Sequence, residues 1–435
     1  MLTNPVFLSV VVLIILCLLK LNVILSLLVA ASVGGLSAGF PIGDVFKTLI
    51  GGMGGNAESA LSYILLGTLA AAIHKTGLAT ILAKKITVWI RGKALMLVSI
   101  IAVISCFSQN LIPVHIAFIP ILIPPLLGVM NKLKIDRRMA AAALTFGLKA
   151  PYLALPAGFG LIFYNIIRDE MTANGMAVDT GMIWKVMWLP PVGMLVGFII
   201  AMLFTYRKPR EYKDLEIGSL TRQSDIVDTK MTFKHYAALI GALAALIGQI
   251  VLGSLPLGAM IALSIMLVTG SIKWKDIDDL INGGIGMMGF IAFVMLVAAG
   301  FGAVMRETGA VESLVLNASA MMGGSKLIAA LIMMFVGLVV TMGIGTSFAT
   351  IPILASIYVP LASVLGFSPL ATIAMLGTAA ALGDAGSPAS DSTLGPTAGL
   401  NADGQHDHIW DTCVPTFIHF NIPLIIFGVF AAMIF

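Results

Sequence analysis

The chain has 435 residues, 59% of them hydrophobic and 11% charged, with a formal net charge of +4. A mean hydropathy of +1.03 excludes an ordinary soluble protein, and the basic residues lie in short loops rather than in a nucleic-acid-binding patch. No alternating strand pattern of the barrel type occurs, so the membrane spans are expected to be helices of about 20 residues.

Asn4-Pro5 leads directly into an apolar helix with no basic leader or cleavage site, so this end is expected to be retained. Spans are expected at 5–19, 22–39 and 57–74, then at 139–167 and 183–205. Between them lies 94–130. Its first arm, Ala94–Phe107, is about 21 Å long at 1.5 Å per residue, too short to cross. It meets Ser108-Gln109-Asn110 and returns through Pro113, Pro120, Pro124 and Pro125, which predicts a re-entrant hairpin with a polar tip. The charged stretch 206–234 reads as a cytoplasmic linker. Further spans are expected at 236–252, 256–271, 285–305 and 414–434, with a second hairpin at 326–365 tipped by Gly343-Ile344-Gly345-Thr346-Ser347. The span 370–396, like 139–167, has a helix-breaking centre.

A shift of 232 positions carries Asp44 onto Asp276, Gly51-Gly52 onto Gly283-Gly284, Pro120-Ile121-Leu122 onto Pro352-Ile353-Leu354, Pro156 onto Pro388 and Pro191 onto Pro423. The expected architecture is therefore an all-α polytopic membrane protein made of two repeats, 1–205 and 235–435, joined by the linker 206–234. Each repeat holds five crossings and one re-entrant hairpin, and an odd number of crossings inverts the second copy relative to the first. Basic loops gather on one side under this count, while Asp169, Glu170 and Asp179 lie opposite, which predicts a cytoplasmic basic face and external termini.

The chemistry is expected at the two broken helices. Gly147–Gly158 carries Lys149, Pro151, Tyr152 and Pro156; Gly383–Thr393 carries Asp384, Ser387, Pro388, Ser390, Asp391, Ser392 and Thr393. Proline and glycine free backbone groups in mid-membrane, and discontinuous helices supply ion and substrate ligands in many transporters. Asp384 and Asp391, with the hydroxyls of Ser387, Ser390, Ser392 and Thr393 and of Thr346 and Ser347 at the second tip, form the expected Na+/H+ site. A carboxylate that takes either Na+ or H+ is the simplest antiport device. Lys149, with Gln109, Asn110, Pro151 and Tyr152, is the expected substrate-binding set. Lys149 and Asp384 occupy corresponding helices and are expected to face one another; the plain alternative is a static salt bridge that permits the helix to break.

Other signals point to structure. Cys17, Cys106 and Cys413 have no CxxC spacing and read as packing residues. His406-Asp407-His408 lies in the polar loop Asn401–Asp411 and reads as a structural or gating loop, while His115 and His419 read as hydrogen-bonded core residues. Leu382-Gly383-Asp384 is similar to the GxGD motif of intramembrane proteases, but Ala381 replaces its first glycine. With neither a P-loop nor HExxH, no enzyme is expected and no cofactor beyond Na+ or H+.

Two broken helices, each preceded by a hairpin, resemble the ion transporter superfamily. Within it, the run Gly386–Thr397 and the stretch Asn401–Thr412 resemble the bacterial Na+/H+ antiporter family, over the whole chain. The resemblance implies a multi-pass carrier of the bacterial inner membrane, a homodimer with separate scaffold and transport regions, working by Na+/H+ antiport. Some relatives are regarded as amino-acid permeases, histidine among the cargoes, so Na+- or H+-coupled amino-acid uptake is the alternative, with Lys149 holding the carboxylate. The superfamily's symporters carry Ser-Asn-Thr at both tips, where this chain has Ser108-Gln109-Asn110 and Gly345-Thr346-Ser347. With Lys149 beside it, the first cation site is expected to be lost or replaced by a fixed charge.

Overall fold

The computed structural model describes residues 3–19, 21–78, 81, 94–110, 119, 123–213, 231–252, 254–321, 324–388 and 390–435. Among them every regular element is helical. The first half contains α1 (Pro5–Leu18), α2 (Val23–Ser37), α3 (Ile42–Thr76), α4 (Ala94–Asn110), α5 (Pro124–Lys132), α6 (Arg137–Ala154), α7 (Phe159–Ala173) and α8 (Thr180–Thr205). The second contains α9 (Phe233–Leu252), α10 (Leu255–Val268), α11 (Ile277–Glu307), α12 (Ala310–Met321), α13 (Lys326–Ile344), α14 (Ser347–Val364), α15 (Pro369–Ala381), α16 (Asp391–Leu400) and α17 (His408–Ile434). Among the described residues five helices are long and apolar enough to cross a membrane on their own: α3, α8, Met288–Glu307 within α11, α14 and α17. The pair α6 and α7, bent by 49° at its break, makes a sixth when taken as one span.

The third span begins earlier than its apolar pattern suggests. Pro41 stands just before α3 and Asp44 lies in its first turn, both favourable at a helix start, and the Gly51–Gly55 cluster is absorbed by a 3-10 turn at Gly54–Asn56. Of the expected linker 206–234, residues 214–230 lie outside the described residues. Arg210 pairs with Asp411 (2.7 Å), and the Lys213 N–H donates to Gln405 Oε1 (2.8 Å), so 210–213 is tied to the 401–411 loop by an ion pair and a backbone hydrogen bond.

Helix starts fall 232 residues apart at Val23 and Leu255, Ala94 and Lys326, Arg137 and Pro369, and Phe159 and Asp391. Glycine contacts follow the same spacing. Gly34 packs on Ser9 and, at the matching contact, Met266 packs on Gly241; Gly147 packs on Ser105, and Ala379 on Gly337. In both cases the glycine changes sides, so the space is kept while the residue supplying it differs.

Helices α3 and α11 cross antiparallel at the centre. A Cβ on Gly67 would lie 2.8 Å from Gly284 O, and one on Gly52 would lie 3.1 Å from Gly300 Cα and 3.4 Å from Ala299 O. Lys75 meets Asp276 (3.2 Å) at one end of the crossing. In lipid, such backbone-to-backbone approach supplies packing that the hydrophobic effect does not. Each half also ties its first helix to the other half: Asn4 Nδ2 donates to Ala310 O (2.8 Å), and His235 Nε2 donates to Thr76 O (2.9 Å). Gly67→Val is expected to cost about 1–3 kcal/mol by overpacking, seen as a lowered unfolding temperature in detergent. Gly51→Val, where an added Cβ meets nothing within 4 Å, is the matched control and is expected to leave that temperature unchanged.

Candidate functional site

The first break is shorter than the sequence suggests. Helix α6 continues through Pro151 to Ala154, and Leu155 then turns extended (φ −125°, ψ 129°), the backbone imposed on a residue that precedes proline, here Pro156. Lys149, Pro151 and Tyr152 therefore stand on the helix, one to two turns before the interruption. Along the same stretch runs an apolar cavity of about 600 Å³, bordered by Phe107, Ala150, Pro151, Ala154, Trp188 and Leu246.

The second break runs from Leu382 to Ser390, between α15 and α16. Gly383 (φ +79°) and Gly386 (φ +111°) hold left-handed backbone, and added Cβ atoms would come within 2.6 Å of Leu338 O and of Phe417 Cβ. Asn421 of α17 clamps this loop: its Oδ1 accepts from Gly383 N (2.9 Å) and its Nδ2 donates to Ala385 O (2.7 Å). Sequence reasoning missed Asn421; a lone amide in an otherwise apolar last span was the available signal.

Asp384 is 1% exposed and is held from three segments. Its Oδ2 pairs with the Lys149 ammonium and accepts from Ser347 N (3.1 Å) and the Ser347 hydroxyl. Its Oδ1 accepts from the Ser390 hydroxyl. Tyr152 closes a ring, its hydroxyl 2.8 Å from Ser347 Oγ and 3.4 Å from Lys149 Nζ. The remaining hydroxyls serve the loop itself. Ser392 donates to Asp384 O (3.0 Å), Ser387 donates to Met342 O (3.0 Å), and Thr393 Oγ1 lies 2.5 Å from Ser387 O. Thr145 of α6 donates to Ser392 O (2.8 Å), a second link between the breaks.

Asp391 differs from Asp384. It is the first residue of α16, is half-buried, and its carboxylate makes no hydrogen bond or ion pair among the described residues. The charges acting on it are those of Asp384 and Lys149. The negative end of a side chain is favourable at this helix N-terminus. Thr346 stands half-buried between α13 and α14, also unbonded through its side chain. Gln109 and Asn110 end α4, but their side chains lie outside the described residues, as do His115 and the side chain of Cys17. An aromatic cluster covers the pair: Tyr152, Phe163, Phe159 and Tyr63 all lie against Phe348, with ring centroids 5.2–6.4 Å apart. The Tyr63 hydroxyl, brought in by α3, is buried without a hydrogen-bond partner among the described residues.

A second polar centre lies at the start of α6. Arg137, fully buried, meets Asp403 through both guanidinium nitrogens and donates to Leu400 O (2.9 Å). Burial opposes ionisation of Asp403, and the hydrogen bonds and charge of Arg137 outweigh it, holding the carboxyl below its ordinary value. His406 Nε2 bonds Thr412 Oγ1 (2.7 Å), and His408 Nε2 donates to Pro388 O (2.9 Å) with Nδ1 2.8 Å from Thr397 Oγ1. The two histidines of the 406–408 motif thus serve the loop and the rim of the second break. His419 donates to Pro415 O (2.7 Å) and bonds Thr205 (2.9 Å) inside the core.

A model of the Na+/H+ antiporter family matches residues 143–430, and a second one, also described as a Na+-H+ antiporter family, matches 4–90. An uncharacterized membrane protein of Vibrio parahaemolyticus is 52% identical over 99% of this chain and 100% of its own length. A Bacillus subtilis protein named "Putative amino acid transporter YuiF" is 48% identical over 99% of this chain and 100% of its own. Among solved structures, Neisseria gonorrhoeae MtrF, described with a class of antimetabolite efflux pumps, superposes with a TM-score of 0.61 at 15% identity, covering 88% of this chain and 83% of that one. The Alcanivorax borkumensis YdaH transporter gives 0.60 at 16% identity, covering 89% and 87%. These two likenesses establish a shared fold.

The polar centre at α6 yields two expectations. Asp403→Asn leaves a buried guanidinium without its counter-charge and is expected to cost about 3–5 kcal/mol, read as a lowered unfolding temperature. Burial pushes the His406 pKa down to about 4, whereas an unfolded histidine protonates near 6.5. The unfolded chain therefore binds the extra proton between those values, so stability is full above about pH 6.5 and falls as pH drops toward about 4. Thermal unfolding across that range checks this: His406→Gln is expected to flatten the slope, and an unaltered slope excludes the assignment.

Proposed function

The chain belongs to the Na+/H+ antiporter family of membrane transporters, and from that premise we propose a cation-coupled secondary active transporter, working by alternating access, in which Asp391 trades Na+ for H+. The observation that carries this reading is the half-buried carboxylate of Asp391 at a helix interruption, without a hydrogen-bond or ion-pair partner among the described residues. A carboxylate in an apolar protein that neither pairs nor donates structure to a loop is costly unless something else binds it. Asp384, which the sequence makes an equal candidate, is a weaker one: Lys149, Ser347 and Ser390 already fill its oxygens. The Lys149 ammonium stands where a cation would otherwise go.

The 232-residue spacing of helix starts and glycine contacts supports two repeats, and the antiparallel crossing of the matching helices α3 and α11 supports their inversion. Bacterial relatives over the full length support the inner membrane as the location. A homodimer remains part of the proposal on the family resemblance alone.

A second reading is amino-acid transport coupled to Na+ or H+. Lys149 favours it, because a buried ammonium is a receptor for a carboxylate, and the name of the Bacillus subtilis relative points the same way. Proteoliposomes test the first reading. Asp391→Asn is expected to abolish Na+-dependent pH change while leaving the protein folded, and full retained exchange would remove Asp391 from the cation site.

A further inference from the structure

We propose that the Lys149–Asp384 pair is itself the receptor for a compact zwitterion, an α-amino acid whose carboxylate goes to Lys149 and whose ammonium goes to Asp384. This rests on the amino-acid reading and is independent of cation exchange at Asp391.

Opening the pair leaves two buried charges without their ionic partners. The Lys149 and Asp384 side chains are 9% and 2% exposed, so neither charge is solvated once separated. A simple cation at Asp384 strands the ammonium, and a simple anion at Lys149 strands the carboxylate. A ligand carrying both charges strands neither. Because the protein charges touch directly, the ligand's own charges must be close together, which an amino and a carboxyl group on one carbon satisfy.

The two ends are also unequally anchored. Asp384 keeps Ser347 N, the Ser347 hydroxyl and the Ser390 hydroxyl when the lysine leaves. Among the described residues Lys149 bonds Asp384 and makes the long contact to the Tyr152 hydroxyl, on a flexible four-carbon stem. The pair therefore opens by movement of the lysine, with the carboxylate and its donors as the fixed floor. Over it stand the rings of Tyr152, Phe348 and Tyr63, and the Tyr63 hydroxyl is buried without a partner. The arrangement occurs once per chain: at the 232-residue spacing, Ala381 matches Lys149 and Tyr152 matches Asp384.

Thermal shift and calorimetry on the purified wild-type protein test the idea with the twenty L-amino acids, each in the presence and absence of Na+. At least one is expected to bind. Its N-acetyl, carboxamide, des-amino and decarboxylated derivatives are each expected to bind about a hundredfold more weakly or worse, the factor for leaving one buried charge unpaired. Lys149→Met and Asp384→Asn are expected to lose the amino acid. Helical circular dichroism and monodisperse elution matching the wild type guard against variants that fail to fold, and the derivative series on the wild-type protein tests the idea without any substitution. A derivative lacking one charge that binds within about threefold of its parent, on that same scale of one buried charge, overturns the proposal. So does a protein stabilised by Na+ but by none of the amino acids, an outcome that leaves cation exchange at Asp391 standing.

Discussion

One buried carboxylate organises the centre of this molecule. Asp384 is surrounded by apolar helices and stays there because donors reach it from three separate stretches of chain: Lys149 on α6, Ser347 at the start of α14, and Ser390 in the loop before α16. In a medium without water, a charge that loses such partners is destabilising by several kcal/mol. The converse is that the partners are held as well. The second break can stay unwound because its polar groups are turned toward Asp384, Asn421 and Met342 O instead of toward lipid.

The two halves share a scaffold and differ in chemistry. Matching helix starts and exchanged glycines keep the same spaces in both, yet the carboxylate of one half is matched by a tyrosine in the other, and Asp391 by Phe159. The first break is four residues long and stiffened by Pro156; the second runs over nine and needs two left-handed glycines. On the proposed two-repeat reading, divergence at positions 149, 152 and 384 leaves the Lys149–Asp384 pair without a counterpart in the other half.

Much of this was legible in the sequence. Composition and helical spacing gave the all-α membrane class, and proline and glycine marked both interruptions near their observed positions. The bounds were less legible. Nothing in the pattern around Gly147–Pro151 says that the helix continues to Ala154, a stretch that packs through Gly147 against Ser105, 42 positions earlier in the sequence. Pairing was hidden for the same reason. Lys149 and Asp384 were both visible as buried charges, but Ser347 as a shared donor, Asn421 as a clamp and Arg137 with Asp403 as a second centre arise only when segments more than 30 residues apart meet. The difference between Asp384, sealed, and Asp391, open, is likewise a matter of tertiary contact.

The crossing of α3 with α11 has a further consequence, for biogenesis. The glycine face of α3 is synthesised some two hundred residues before the helix that fits it, and α1 must likewise await the segment around Ala310. During that interval the nascent first half rests in the bilayer with its closest-packing surface against acyl chains. The ribosome therefore delivers a partly assembled bundle, and the membrane or an insertion chaperone has to hold it until the second half arrives to complete the seam.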